Sequence, residues 1–121
     1  MEERMMLNEK IEVLQSADKY LYNLRKGIIK LVGLMQAEKE QQAILLIPEI
    51  SDGIDWIMKV VTLTSDIQKE PIEIKNINEH LESIIDALEN EDYILIGDIF
   101  NYEIIPILDK VHDEIRSIIA N

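Results

Sequence analysis

Residues 7–35, LNEKIEVLQSADKYLYNLRKGIIKLVGLM, decide the fold class of this 121-residue chain. Apolar side chains return every three or four positions along this stretch, which is the spacing of one face of an α-helix. The pattern predicts a first helix over residues 5–37. Strict alternation, which a strand would require, is absent. The apolar face is formed by Leu7, Ile11, Leu14, Ala17, Leu21, Leu24, Ile28, Leu31 and Met35.

Three further stretches show the same helical spacing. It predicts a second helix over residues 39–66, followed by a polar linker at 65–76. It also predicts a third helix over 77–88, with Asn76 or Asn78 as its N-cap. A fourth helix is predicted from Tyr93 to the end of the chain. The apolar faces are Ala43, Ile47, Ile50, Ile54, Ile57 and Val61; Ile77, Leu81, Ile84 and Leu88; and Tyr93, Ile96, Phe100, Ile104, Leu108, Val111, Ile115 and Ile118.

Two prolines, Pro48 and Pro106, fall inside the predicted second and fourth helices. Proline lacks the N–H that would bond to the carbonyl four residues earlier, so it ends or kinks a helix. The apolar spacing continues in phase across both prolines. We therefore predict kinks and not breaks, with the carbonyls of Ile44 and Tyr102 released from helical pairing.

Four apolar-faced helices in one small chain are expected to bury those faces against one another. The fold class predicted is all-α, a four-helix bundle of up-down antiparallel topology, in a single domain over residues 1–121. The third helix is shorter than the others. Part of the core is therefore expected to be uncovered at one end, as a surface for binding.

Charge excludes two classes of partner. The chain carries 12 basic and 24 acidic side chains, a net charge of −12, and residues 71–121 alone account for −9. Such a surface repels nucleic-acid phosphates and anionic lipids. The longest aliphatic run, residues 43–47, is too short for a membrane span, and no secretory signal is recognisable at the start, so a cytoplasmic location is expected. The absence of cysteine excludes disulfides and thiolate metal sites.

Paired carboxylates one helical turn apart suggest an alternative function. Glu49 with Asp52, and Glu79 with Glu82, have the i, i+3 spacing by which all-α nucleotide pyrophosphohydrolases hold magnesium. No basic cluster for a triphosphate accompanies them, and chance produces such pairs in so acidic a chain. We therefore expect no metal and no cofactor. His112 is expected on the outer face of the fourth helix, paired with neighbouring charges.

The most distinctive segment is EDYILIGDIFNYEIIPIL at residues 91–108. Its pattern D-Y-x-L-x-x-D-x-x-x-Y-E-x-x-P resembles the C-terminal segment of an uncharacterised family of small acidic helical proteins from low-GC Gram-positive bacteria. The resemblance implies a helical bundle and no known activity. Within this segment Asp98, Tyr102 and Glu103 are the polar side chains at the border of the core, and Glu103 is expected to pair with Arg25 or Lys26 of the first helix.

Trp56 is the main candidate for an interface. On a helical wheel it lies about 130° from the core face, on an outer strip with Leu45, Val60 and Leu63. Tryptophan is enriched at binding hot spots, so this strip is expected to bind a protein partner or a second copy. The alternative is that the third helix or the linker covers it. The function predicted is a non-enzymatic interaction module, an adaptor or chaperone-like protein for a helical or basic partner.

Overall fold

The computed structural model describes residues 6–74 and 76–120, and within those ranges its regular elements are all helical. This confirms the all-α prediction, although residue 5, where the first helix was expected to begin, lies outside the described residues. A 3-10 turn (Ser65–Ile67) follows α3, and a π-helical turn (Phe100–Ile104) joins α5 to α6. The α-helices are α1 (Leu7–Gln36), α2 (Glu40–Ile44), α3 (Ile47–Leu63), α4 (Ile77–Glu89), α5 (Tyr93–Ile99) and α6 (Ile105–Ile119).

Helix α1 is the central element. It packs against α2, α3, α5 and α6, while α4 packs against α5 and the π-helical turn. Its apolar stripe is buried from Leu14 to Met35, as the spacing predicts. The side chains with the least exposure in the shared core come from every long helix and include Leu14, Ile28, Leu31, Ile54, Ile57, Ile77, Ile96, Phe100, Ile104 and Ile115.

The chain divides into two helices at Pro48, where a single kinked helix was predicted over residues 39–66. Helix α2 ends at Ile44, α3 begins at Ile47, and Pro48 lies in the first turn of α3, where its missing N–H is not needed. The intervening Leu45 and Leu46 keep right-handed helical backbone angles, and the Leu46 N–H donates to the carbonyl of Ala43 at 3.0 Å. Because this turn stays helical, the apolar spacing runs through it without a shift.

At Pro106 the chain accommodates the proline differently. The helical run from Tyr93 to Ile119 is continuous, but the five residues before Ile105 form a π-helical turn. The Ile105 N–H donates to the carbonyl of Phe100, five residues earlier. A π-helical turn inserts one extra residue per turn, and such turns occur where the regular i to i−4 pattern is interrupted.

Two turns end their helices on a glutamate in the left-handed conformation. Glu38 follows α1 with φ 60°, and Glu91 follows α4 with φ 53°. In both turns the next residue's N–H reaches back five positions, from Lys39 to Leu34 at 2.8 Å and from Asp92 to Ala87 at 2.8 Å. This is the Schellman pattern, which usually uses glycine. The sequence signal for these helix ends was therefore weak.

Hydrogen bonds from one glutamine side chain connect the linker between α3 and α4 to the end of α3. The Gln68 side-chain amide donates to the carbonyl of Val61 at 2.8 Å and accepts from the N–H of Ile72 at 3.1 Å. Ile72 is buried. Asn76 precedes α4, as predicted for an N-cap, but its side chain makes no capping hydrogen bond.

Candidate interaction surface

Trp56 contacts an aromatic residue of α1. Its ring meets that of Tyr20 edge to face, with centroids 5.5 Å apart and planes at 85°. Trp56 remains 38% exposed. The indole is thus partly covered by the protein, and a little over a third of the residue is accessible to solvent.

A glycine on α3 allows this aromatic contact. Gly53 is buried, and a Cβ there would clash with the Tyr20 phenol and lie 3.1 Å from a methyl of Leu24. Residue 53 therefore has to be small for α1 and α3 to approach closely at this point. Along the same contact a Cβ on Gly27 would be 3.9 Å from Ile50, an ordinary packing distance.

The Tyr20 hydroxyl has a negative environment. Its pKa is raised above the ordinary value, first because the group is partly buried and then because of the charges of Glu49 and Asp52 on α3. Tyr20 and Glu49 also line a shallow cleft of about 140 Å³ between the two helices, with Lys30 of α1 on its rim. The cleft combines apolar walls with charges of both signs at its edge.

Three of the four residues of the predicted outer strip are exposed. Leu45 is 79% exposed, Leu63 is 53% exposed, and Trp56 is partly exposed. Val60 is only 2% exposed and belongs to the core. The prediction for Val60 was wrong because residue 60 lies seven positions after Gly53, on the side of α3 that α1 packs against most closely.

We define the α1–α3 face by the outward strips of these two antiparallel helices. Tyr20 and Gly53 mark its middle, and the ion pair between Lys10 and Asp66, at 2.6 Å, lies at one end. The face comprises Lys19, Asn23, Lys26 and Lys30 of α1, with Leu45, Glu49, Asp52, Trp56 and Leu63 on and just before α3.

On the other side of α1, a buried histidine meets an aspartate. His112 is 5% exposed, and its Nε2 lies 2.7 Å from Oδ1 of Asp18. An ionised carboxylate can only accept, so this contact is a hydrogen bond in the tautomer that carries its proton on Nε2. The expectation of an outward His112 was wrong, since residue 112 continues the buried stripe of Leu108 and Ile115 against α1.

Two further polar contacts extend this α1–α6 seam, which we define by Asp18, Tyr22, Arg25, Asp109, His112 and Arg116. Arg116 donates to the Tyr22 hydroxyl at 2.9 Å, and the Tyr22 ring meets His112 edge to face. Arg25 donates to both carboxylate oxygens of Asp109, at 2.9 and 3.3 Å, and its pKa is raised by that hydrogen bond and by the charge of Asp109. The seam's charged groups therefore find their partners inside the chain.

The polar residues expected at the border of the core are found apart from one another. Tyr102 is 68% exposed, and Asp98 lies at the surface beside a small cleft against α1. Glu103 lies 3.6 Å from Nε2 of His80 on α4. The prediction that Glu103 pairs with Arg25 or Lys26 was wrong, because the π-helical turn packs against α4 while Arg25 is held by Asp109.

The paired carboxylates do not converge with other ligands. Glu49, Asp52, Glu79 and Glu82 are exposed on α3 and α4. Across the described residues no group of three or more histidines and carboxylates is arranged to hold a metal ion. The i, i+3 spacing by itself therefore marks solvated helix faces here. In the same part of the chain no helix is long and apolar enough to cross a membrane.

Sequence reasoning missed the α1 partners of both surfaces. Tyr20 and Asp18 lie beside the core stripe of α1, and a single helix pattern does not indicate which neighbour each residue meets. Gly53 carried a usable signal, since glycine inside a helix costs about 1 kcal/mol relative to alanine. A glycine in the middle of α3 thus suggests close packing against another element.

A search of curated proteins found no match, and neither did a search of solved structures. A family model described as "Domain of unknown function (DUF8042)" matches residues 12–114 of the chain. This confirms the prediction of an uncharacterised family and implies no activity. The chain belongs to the DUF8042 family.

Proposed function

We propose that this protein is a non-enzymatic interaction module whose α1–α3 face binds a protein partner, either another protein or a second copy of this chain. The observation that carries the proposal is the half-supported indole of Trp56, packed on Tyr20 and flanked by exposed Leu63 and Leu45. A rigid aromatic anchor loses little conformational entropy on binding, and tryptophan is among the residues that contribute most at interfaces.

The proposal includes the finer arrangement of the fold. The antiparallel contact of α1 with α3 and the packing of α1 against α5 and α6 support an up-down four-helix bundle. The α2–α3 turn before Pro48 and the π-helical turn before Pro106 are the expected sites of bends in its long helices. We place this module in the cytoplasm, as its sequence suggests.

The acidic remainder of the molecule suits an adaptor or chaperone for a basic or helical partner. Residues 71–121 carry twelve acidic and three basic side chains. A field of this sign attracts basic segments and repels nucleic acid, so it affects the choice and rate of association more than its strength. An exposed apolar strip at helical spacing is also the form of surface on which amphipathic helices dock.

A small metal-dependent hydrolase remains the alternative function. It requires that Glu49 and Asp52, or Glu79 and Glu82, recruit further ligands when substrate is bound. The outward exposure of all four carboxylates favours the interaction module instead. If millimolar Mg²⁺ raised the melting temperature and Glu49→Gln removed the effect, the enzyme hypothesis would be preferred.

The test of the interaction module is a comparison of variants in binding. Tagged wild-type protein, Trp56→Ala and Tyr102→Ala are incubated with extract from the native cell, and bound proteins are quantified by mass spectrometry. Tyr102 is the matched control because it is an aromatic residue at 68% exposure away from the α1–α3 face. We expect specific binding to be lost with Trp56→Ala and kept with Tyr102→Ala. The proposal would be contradicted if both variants bound the same proteins equally well and if Trp56→Ala also left self-association unchanged.

A further inference from the structure

Opposite charges border the two sides of the α1–α3 face. Lys19, Lys26 and Lys30 lie on the outward strip of α1, and none of them forms an ion pair with another described residue. Glu49 and Asp52 lie on the outward strip of α3 and are likewise unpaired within the part of the chain described. Between residues 19 and 30, α1 thus presents unpaired positive charge, and between residues 49 and 52, α3 presents unpaired negative charge, with the Tyr20–Trp56 contact beside them.

On the opposite side of α1, the arginine side chains are paired within the chain. Arg25 with Asp109 and Arg116 with Asp113 are ion pairs on the opposite side of α1. The α1–α3 face has three lysines against two carboxylates, whereas the whole chain has a net charge of −12. Two copies repel each other in most orientations, and this face is where their approach is electrostatically favourable.

From this arrangement we infer that the occupant of the α1–α3 face is the same face of a second copy of this chain. The inference rests on the proposed function and names the partner of that site. A two-fold interface must be self-complementary, because each patch meets its own copy. Here a two-fold axis parallel to the helices brings the lysines of α1 over the carboxylates of α3 in the second copy. An axis perpendicular to the helices would oppose lysine to lysine, so the charges select one of the two dimers.

The same geometry gives Trp56 a specific neighbour. Trp56 lies at the level of Tyr20 along α1. In the selected dimer its exposed edge meets the outward strip of α1 near Lys19 of the second copy, where the ammonium group can lie over the indole. Trp56 therefore contacts a lysine strip and not a second Trp56.

The size of the face is that of weak, transient interfaces. The 17 residues of α3 extend about 25 Å, and two adjacent helices are about 20 Å wide, so the face is at the small end of specific interfaces. A dissociation constant in the micromolar range is expected for an interface of this size.

Paired charge reversals test the inference by sedimentation equilibrium between about 1 and 500 µM. One variant carries Lys26→Glu and Lys30→Glu, and the other carries Glu49→Lys and Asp52→Lys. We expect wild-type protein to dimerise and each variant alone to be monomeric. An equimolar mixture of the two variants should dimerise again, because both contacts across the two-fold then join opposite charges. Trp56→Ala should raise the dissociation constant at least tenfold.

The matched control reverses a carboxylate pair outside the face. Glu79→Lys with Glu82→Lys has the same i, i+3 spacing on α4 and the same change in net charge as the α3 variant. This control should dimerise at least as well as wild type. Thermal melting of dilute protein, followed by circular dichroism, confirms that each variant is folded, as expected for substitutions at exposed positions.

Two results would overturn the inference. Wild-type protein that is monomeric up to the highest concentration would exclude the second copy as occupant, and so would a dimer that both reversals leave intact. A monomeric wild type with Trp56-dependent binding to another protein would reject this inference alone and keep the proposed function. Loss of Trp56 dependence in both self-association and binding would reject both.

Discussion

The two sides of helix α1 make different kinds of contact with the neighbouring helices. Towards α6, the side chains of Asp18, Tyr22 and Arg25 each meet a polar partner within the chain. Towards α3, Tyr20 packs on an aromatic ring and a glycine, and Lys19, Lys26 and Lys30 outside them form no ion pair with another described residue. One helix thus carries an internally satisfied seam and a face whose charges and aromatic edge are available to another molecule. The comparison shows that one helix can pair its polar side chains within the chain on one side and leave charged side chains without an ion pair on the other.

Removal of the buried histidine should have the largest effect on stability. His112→Ala leaves the Asp18 carboxylate without its partner in a mostly buried position, so we expect a loss of about 2 kcal/mol in the free energy of unfolding. Urea denaturation at neutral pH measures it. The matched control is His80→Ala, since the His80 side chain is 25% exposed and 3.6 Å from Glu103, and about 0.5 kcal/mol or less is expected. Equal losses from both histidines would show that the seam is not specially stabilised by the His112–Asp18 contact.

Two glycine substitutions compare the change in stability at the α1–α3 contact with the change at an open position on α1. Gly53→Ala gains helix propensity but drives a methyl group into Tyr20 and Leu24, so a net loss of about 1 kcal/mol is expected. Gly33→Ala on α1 has no heavy atom within 4 Å of the new Cβ and should gain up to about 1 kcal/mol. Tryptophan fluorescence should change in Gly53→Ala alone, because Tyr20 must move relative to Trp56. Stabilisation by both substitutions would mean that the α1–α3 contact is loose.

The exposed ion pair of the seam should contribute little. The Arg25 and Asp109 side chains are 46% and 43% exposed, and exposed pairs contribute about 0–1 kcal/mol. We expect Arg25→Gln to lower stability by less than about 1 kcal/mol at low salt, with the difference vanishing in 1 M NaCl. Lys110→Gln, next to Asp109 on α6 and without an ion pair to another described residue, should show no salt-dependent difference. A loss from Arg25→Gln that persists in high salt would mean that packing of the Arg25 stem is responsible.

The smallest effect concerns the ionisation of Tyr20. Its pKa is raised in the folded state by burial and by Glu49 and Asp52, above the ordinary value of about 10. The stability that depends on the neutral phenol is therefore complete below about pH 10 and is lost as the pH rises through the folded-state pKa. Ultraviolet titration of the phenolate should show one tyrosine ionising late. Glu49→Gln with Asp52→Asn should move that ionisation to lower pH, whereas Glu79→Gln with Glu82→Gln should leave it unchanged.

Much of the fold was predictable because apolar spacing is a local property. The predicted stripe on α1 is buried from Leu14 to Met35, although its first residue, Leu7, is exposed. The predicted stripe on α4 is buried at Ile77 and Ile84, and that helix ends at Glu89, one residue beyond the predicted end. Helix ends were less predictable where glutamate takes the left-handed position normally given to glycine, as at Glu38. The division at Pro48 was missed because the α2–α3 turn keeps helical angles and so keeps the apolar phase.

The candidate surface was partly predictable for the same reason. The wheel of α3 placed Trp56 and Leu63 correctly away from the core centre, since their directions follow from helix geometry alone. The wheel of α3 misplaced Val60 and that of the predicted fourth helix misplaced His112, because the width of a buried stripe depends on how closely the neighbouring helix approaches. Gly53 sets that approach on α3, and the contact of α6 with α1 sets it for His112.

The sequence by itself determined that this chain is all-helical, acidic and built around one long amphipathic helix, because periodicity and charge are properties of the chain taken locally. Only the tertiary structure decided which residues of that helix face which neighbour. Asp18 meets His112, and Tyr20 meets Trp56, although the two lie only two positions apart in sequence. The physical reason is that residues two apart on a helix point about 200° from each other, so adjacent positions enter different interfaces. The partner of each residue on α1 is therefore decided by contacts between residues far apart in the sequence. Asp18 and His112, for example, are 94 positions apart.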